Sequence, residues 1–177
     1  MKTEPAHSIS IINLAQEQML TKKSFYFLRH GQTSWNKKKL YQGQKDIPLN
    51  SEGIKQAEGA REILKNLSIS AIHTSSLVRA AQTTEIINKD LGVPIMTSGK
   101  LKECAYGSLE GTVKSDPSVD TNWRNGITPE GAEGYREFSI RVLKAVNLAL
   151  IGDGPILIVA HRAVFWPLAE AMGLDPD

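Results

Sequence analysis

Apolar runs that stop abruptly at polar or charged residues alternate along this chain with stretches whose apolar positions recur at helical spacing. Phe25-Tyr26-Phe27-Leu28 places four large apolar side chains in a row, the pattern of a strand buried on both faces in a parallel sheet. Asn50 then reads as a helix N-cap with Glu52 in the first turn, and Ile54, Ala57, Ala60, Leu64 and Leu67 follow at helical spacing. Ile69 to His73 reads as a second strand. Leu77, Ala80, Thr84, Ile87 and Leu91 define the face of another helix, which Gly92 stops. Val93 to Met96 is a shorter strand, assigned by Pro94 to a sheet edge or a strand start. Gly107 to Gly134 is rich in turn residues, with Pro117 and Pro129. Tyr135 to Leu150 is helical again, with Phe138, Val142, Ala145, Val146 and Ala149 on one face. Pro155 to Ala160 is a strand, and a helix follows through Met172. Strands and helices alternating at these lengths predict an α/β fold with a mainly parallel sheet.

Residues 1–23 stand apart. Their mixed polarity suits a loosely packed helix or a frayed extension ahead of one domain over 24–177. A chain of 177 residues is enough for that domain and short for two. Lys plus Arg is 21 against 19 for Asp plus Glu, too balanced for a chain whose work is electrostatic nucleic-acid binding. The single cysteine, Cys104, excludes an internal disulfide and a cysteine-based zinc cage, and buried packing is its expected role. No apolar run approaches the roughly 20 residues of a membrane helix. Ser8 to Ala15 is short, broken by Asn13 and preceded by Lys2 alone as a basic residue, so it reads poorly as a secretion signal. The expected setting is the cytoplasm, with no membrane partner.

The candidate chemistry lies where two strands end. Leu28-Arg29-His30 and Val159-Ala160-His161 share one grammar: an apolar run, then an imidazole at the carboxyl end. Open α/β sheets bind ligands beyond those ends, where helix N-termini favour anions. Arg29 and Arg162 flank the two histidines, and Arg79 lies near the start of the helix after the second strand. Such a fold can gather Arg29, His30, Arg79 and His161 around one point. A phosphate monoester, carrying about −1.5 to −2 charges at neutral pH, suits that set. A histidine at a strand end is more often a solvated residue, and His7 and His73 keep that reading. Two histidines so far apart in sequence are poor metal evidence, and neither metal nor cofactor is expected.

The local residues are more specific. Arg29-His30-Gly31-Gln32-Thr33-Ser34-Trp35-Asn36 resembles the signature of the histidine phosphatase superfamily, the phosphoglycerate-mutase-like proteins. Further elements agree in order. Tyr41 to Leu49 resembles the family's glycine turn and Asp-x-Pro-Leu segment, and Thr74 to Thr83 its Ser-x-Leu-x-Arg-Ala-x-Gln-Thr element. Leu101 to Gly111 resembles the Leu-x-Glu-x-x-Phe-Gly-x-x-Glu-Gly element, and Pro129 to Glu133 and Ile158 to His161 complete the set. Six ordered elements over Phe25 to Leu174 are a strong signal, where Arg-His-Gly alone is none.

The resemblance implies a three-layer αβα sandwich, with 24–177 as a histidine phosphatase-like catalytic domain. Relatives usually continue to another strand past the position of Asp177, so either the sheet lacks that edge strand or the chain is incomplete. The resemblance makes His30 the nucleophile, phosphorylated in turn. Arg29, Arg79 and His161 bind the phosphoryl oxygens, Asn36 adds a neutral donor, and Gln42 and Gly43 lie along the substrate. Glu103 is the proton donor, with Glu110 a weaker alternative. Arg162-Ala163 stands where many relatives have small residues; Arg162 either adds a cation at the substrate rim or points to solvent. The stretch from Gly111 to Pro129 is short for a lid, which favours hydrolysis over transfer back to a sugar acid. Trp123 in that stretch is a candidate substrate contact. Lys37-Lys38-Lys39 reads as a solvated helix face with a secondary phosphate-steering role, and Trp35 and Trp166 read as core. The expected partners are a small phosphorylated substrate and inorganic phosphate as product, with a homodimer allowed. The leading reading is a metal-independent phosphomonoesterase. Mutase-type transfer, a protein-directed regulator and a non-catalytic phospholigand module are the alternatives.

Overall fold

The computed structural model describes residues 19–175. Its strands are β1 (Phe25–Arg29), β2 (Ala71–Ser75), β3 (Ile95–Ser98) and β4 (Ile156–Ala160). Its helices are α1 (Ser34–Lys37), α2 (Ser51–Leu64), α3 (Val78–Leu91), α4 (Ser118–Arg124), α5 (Tyr135–Ala149) and α6 (Arg162–Ala171). The strands pair in the order β1-β4-β2-β3, and every pairing is parallel.

β4 explains the layering. Ile156, Ile158 and Ala160 point into one apolar cluster with α5 and α6, whose members include Phe138, Val142, Val146, Val164 and Trp166. Leu157 and Val159 alternate into a second cluster with Ala80 and Ile87 of α3 and Leu64 of α2. Both faces are therefore covered, and the expected three-layer αβα sandwich is what forms. Each fully buried side chain of this size contributes about 1.5–3 kcal/mol relative to exposure.

Asn50 caps α2 as expected, its Oδ1 accepting from Gly53 N–H at 2.8 Å. Gly92 ends α3 in the left-handed conformation at φ 61°. Several expectations need correction. Among the described residues β1 pairs with β4 alone and forms the sheet edge, so its apolar run is half-buried rather than enclosed. Its Phe27 is covered by Phe165 of α6, ring centroids 5.4 Å apart. β2 begins two residues later than Ile69, because Ile69 is a buried turn residue whose N–H donates to Leu67 C=O. β3 begins at Ile95, because Asn88 holds Val93 in two hydrogen bonds that keep it out of the ladder. Ile54 lies off the buried face of α2, and Leu67 falls beyond its end. The turn-rich stretch contains α4, and Trp123 inside it is 1 % exposed, a core residue rather than a substrate contact.

The expected extension over 1–23 falls largely outside the described residues. Where the description begins, Met19 C=O and Thr21 N–H both bond the side chain of Asn147 in α5.

Candidate active site

The register of the central strands builds the site. Arg29 of β1 lies opposite Ala160 of β4, so His30 and His161 leave adjacent parallel strands at the same level. His30 N–H extends the ladder by donating to Ala160 C=O at 3.0 Å. The two rings stand with centroids 5.1 Å apart. β2 ends at the same edge, and Ser75, its last residue, lies 2.7 Å from His161 Nε2 through Oγ. Ser75 Oγ also accepts from Leu77 N–H, which fixes its position.

His30 is held for one tautomer. Its Nδ1 lies 2.7 Å from Gly31 C=O, and a carbonyl can only accept. Nδ1 therefore carries the proton, and Nε2 is left with a lone pair. Gly31 is fixed in turn: its N–H donates to Thr83 Oγ1, and Thr83 Oγ1 donates to Arg79 C=O. A side chain at Gly31 would meet Gly53 C=O at 2.3 Å, so the turn after β1 packs directly on the first turn of α2. His161 is fully buried beneath this layer, and its Nδ1 has no hydrogen-bond partner among the described residues.

A cleft of about 360 Å³ opens over these rings. Arg29, Lys39, Arg79, Lys114 and Arg162 line it against the lone carboxylate of Glu103. That excess of cations suits an anionic ligand. A larger groove of about 790 Å³ runs between β3 and α5, lined by residues such as Met96, Leu101, Ile140 and Leu148, and it contains neither ring. Chemistry, rather than size, selects the smaller cleft.

The walls show why each residue sits where it does. Arg79, in the first turn of α3, donates to Gly43 C=O and Lys45 C=O, each at 2.8 Å, and its buried Nε has no partner among the described residues. Asp46 caps α3 by accepting from Val78 N–H at 2.7 Å. Asn36 and Thr33 close a capping box at the start of α1, and this uses Asn36 Oδ1. Gln42 Oε1 accepts from Thr33 Oγ1 at 2.8 Å, so the amide nitrogens of both side chains remain for the cleft. Gly43 has a different reason from the one expected. At φ 52° a side chain there would meet Glu110 Oε1 at 1.9 Å, so the glycine makes room for a carboxylate of the protein itself. Glu110 Oε1 accepts from Gln44 N–H and Tyr106 N–H, a structural post that places it poorly for proton transfer.

Glu103 is buried and lines the cleft, its Oε1 accepting from Cys104 N–H at 3.2 Å. Burial raises its carboxyl above the ordinary range, against the pull of Arg79, the Cys104 N–H, Lys114 and Arg29. Cys104 is fully buried, and burial pushes its thiol well up, in keeping with packing. Arg162 reaches the cleft wall, with Nη1 4.0 Å from Asp120. All three lysines of the run are exposed, and Lys39, beyond α1 at φ 55°, also lines the cleft wall. Trp166 is core and Trp35 is half-buried. Sequence reasoning missed Ser75, Lys114 and Arg141. Ser75 lies two residues beyond the expected end of its strand at His73, and nothing local marks the other two.

The matched family model is that of the histidine phosphatase superfamily, branch 1, over residues 25–177. The chain belongs to the histidine phosphatase superfamily. It is thus an enzyme of that type. The chain is 38 % identical over 154 residues to the uncharacterized phosphatase PhoE of Bacillus subtilis (strain 168), spanning 85 % of this chain and 78 % of that one. It is 37 % identical over 161 residues to the probable phosphoglycerate mutase GpmB of Shigella dysenteriae serotype 1 (strain Sd197), spanning 84 % and 74 %. A mycobacterial glucosyl-3-phosphoglycerate phosphatase solved with VO3 superposes with a TM-score of 0.76 at 27 % identity, covering 84 % of this chain and 80 % of that one. An alpha-ribazole phosphatase from Shigella flexneri gives 0.72 at 28 %, covering 86 % and 81 %. Among the described residues no group of three or more His, Cys, Asp or Glu side chains could hold a metal ion, and no helix is long and apolar enough to cross a membrane.

The two buried rings carry a pH signature that this superfamily member should show. Burial pushes His30 down to about 3, helped by Arg79 and Arg29 and opposed by the Gly31 carbonyl. Burial, Arg79 and His30 also push His161 well below its usual range. An unfolded histidine titrates near 6.5, so between 6.5 and about 3 the unfolded chain binds the extra proton. Stability from His30 is therefore full above 6.5 and is lost as pH falls toward 3. The His30→Gln variant should show a shallower decline in unfolding free energy over that window, by a few kcal/mol in total, about 1.4 per unit of pKa difference. Urea titrations of both proteins at stepped pH measure this; parallel curves would mean that His30 is not held neutral.

Proposed function

We propose that this enzyme hydrolyses small phosphate monoesters through a phosphohistidine on His30. The observation that carries the proposal is the fixed tautomer: a neutral imidazole with Nε2 free, set among Arg29, Arg79 and His161. A phosphoryl group placed there meets guanidinium donors on its non-bridging oxygens, with Asn36 and Gln42 as neutral donors and Arg162 at the rim. These positions disperse charge in a transition state that needs positioning and electrostatics above all.

In the first step the Nε2 lone pair of His30 forms the N–P bond. The P–O bond to the leaving group breaks, and protonated Glu103 gives its proton to the departing oxygen. In the second, Glu103 takes a proton from water, the water oxygen bonds phosphorus, and the N–P bond breaks. Nε2 recovers its lone pair and inorganic phosphate leaves. Burial that raises the Glu103 carboxyl favours the protonated form the first step requires.

Hydrolysis is favoured over isomerisation by the segment between Gly111 and Pro129. It supplies Lys114 to the cleft wall and anchors Trp123 in the core, Nε1 donating to Glu133 C=O. A segment spent on rim and core leaves water access to the phosphohistidine. The likeness to GpmB keeps mutase activity as the second reading. A panel of p-nitrophenyl phosphate, sugar phosphates and a phosphoglycerate, assayed for free phosphate and for the isomer, decides between them. Free phosphate from several esters is the expected result. Efficient isomerisation with little free phosphate would overturn it.

A further inference from the structure

We propose that Arg141 is a positioning residue that sets Glu103 for proton transfer, a role resting on Glu103 being the proton donor. Arg141 lies on α5 and does not line the catalytic cleft. Its guanidinium stacks over the fully buried Phe138 ring at 4.7 Å, which fixes its plane. Every N–H of the fork is used. Nε donates to Glu133 Oε1 at 2.6 Å and Nη2 to Glu133 Oε2 at 2.8 Å. Nη1 donates to Lys100 C=O at 2.8 Å and Lys102 C=O at 2.9 Å, and Nη2 to Glu103 C=O at 3.0 Å.

This matters because Glu103 sits in a stretch without helix or strand. Its backbone has no ladder to hold it, and a buried carbonyl there needs a donor from elsewhere. Arg141 supplies that donor from a helix packed on the sheet. Gln44 Nε2 takes the second lone pair of the same carbonyl at 3.2 Å. Glu133 secures the other side, its N–H donating to Ala105 C=O at 2.9 Å. The Glu103 peptide is thus clamped on both flanks by one ion pair. The pair is bidentate, so the carboxylate of Glu133 balances the guanidinium at close range. The cations acting on the Glu103 carboxyl are Arg79, Lys114 and Arg29. The clamp therefore acts through geometry, and an ångström of slack at the proton donor is costly.

The test measures single-turnover phosphoenzyme formation and KM for R141K, E133Q and E103Q, with an aryl phosphate and an alkyl phosphate. Lysine has three donors against five and cannot fork. R141K is expected to slow reaction of the alkyl ester, whose leaving oxygen needs the proton, by about tenfold, and of the aryl ester by no more than about twofold. KM should stay unchanged for both. E133Q, which keeps an acceptor for the fork, should move in the same direction by less. The R141K/E103Q double variant should lose nothing beyond E103Q alone, because the two residues serve one function. Equal losses on both esters in R141K and E133Q, or a rise in KM at constant rate, would overturn the clamp. If E103Q distinguishes the esters and R141K does not, the clamp alone falls. If E103Q itself slows both equally, the proton-donor reading falls and the clamp with it.

Discussion

His30→Ala folds, binds inorganic phosphate and turns over nothing. Among the described residues His30 supplies the imidazole that lines the cleft, because His161 lies beneath it, fully buried and tied to Ser75. Arg29 and Arg79 are untouched by the change, and Arg79 keeps its bonds to Gly43 and Lys45. The phosphate cradle should therefore survive while the nucleophile is lost. Residual turnover should lie below about one part in 10⁴, the scale on which removing an enzyme nucleophile acts. The measurement is phosphate release from p-nitrophenyl phosphate beside phosphate binding by calorimetry. Turnover within tenfold of the parent enzyme would assign the nucleophile elsewhere.

Glu103→Gln loses the proton and keeps the shape. The amide can still accept from Cys104 N–H, and the Arg141 and Gln44 bonds reach only the Glu103 backbone. General acid–base assistance is worth about 10²–10⁴-fold, and the expected loss on alkyl phosphates lies in that range. An aryl leaving group needs little protonation, so formation of the phosphoenzyme from an aryl ester should fall far less. Breakdown of the phosphoenzyme should also slow, since the same carboxylate deprotonates water. A plot of log rate against leaving-group pKa should steepen in the variant; an unchanged slope would remove Glu103 from the reaction.

Much of this was legible in the residues. The Leu28-Arg29-His30 and Val159-Ala160-His161 endings needed only one further fact, parallel pairing in register, to bring the rings together, and the β1–β4 ladder supplies it. The six motif elements located the walls. What sequence could not show was the reason for individual residues. Gly43 reads as a close approach to substrate, yet it is glycine because Glu110 fills the space. Trp123 reads as a lid residue, yet its ring belongs to the core and its N–H to Glu133. Arg141 carries a helical position and no motif, and its five donors find acceptors from four distant residues only after the chain has folded. Lys39 is solvated like its two neighbours, as the run suggests, and a left-handed backbone also sets it at the cleft wall, which the run alone does not show. The β1 run shows the same limit in the fold: Phe25 to Leu28 has the composition of a central strand, and among the described residues it pairs with β4 alone.

Every step of the proposed hydrolysis depends on the phosphoryl group passing onto one ring nitrogen. Glu103→Gln slows the breakdown of that species, so it is the variant in which to trap it. The enzyme is mixed with an aryl phosphate, quenched in alkali, where phosphohistidine persists, and mapped by peptide mass spectrometry. Stoichiometric phosphate is expected on the peptide bearing His30, on that residue, and none when His30→Ala is added. Phosphate on any other side chain, or complete ester cleavage with no covalent phosphate at any time point, would contradict the proposed hydrolysis.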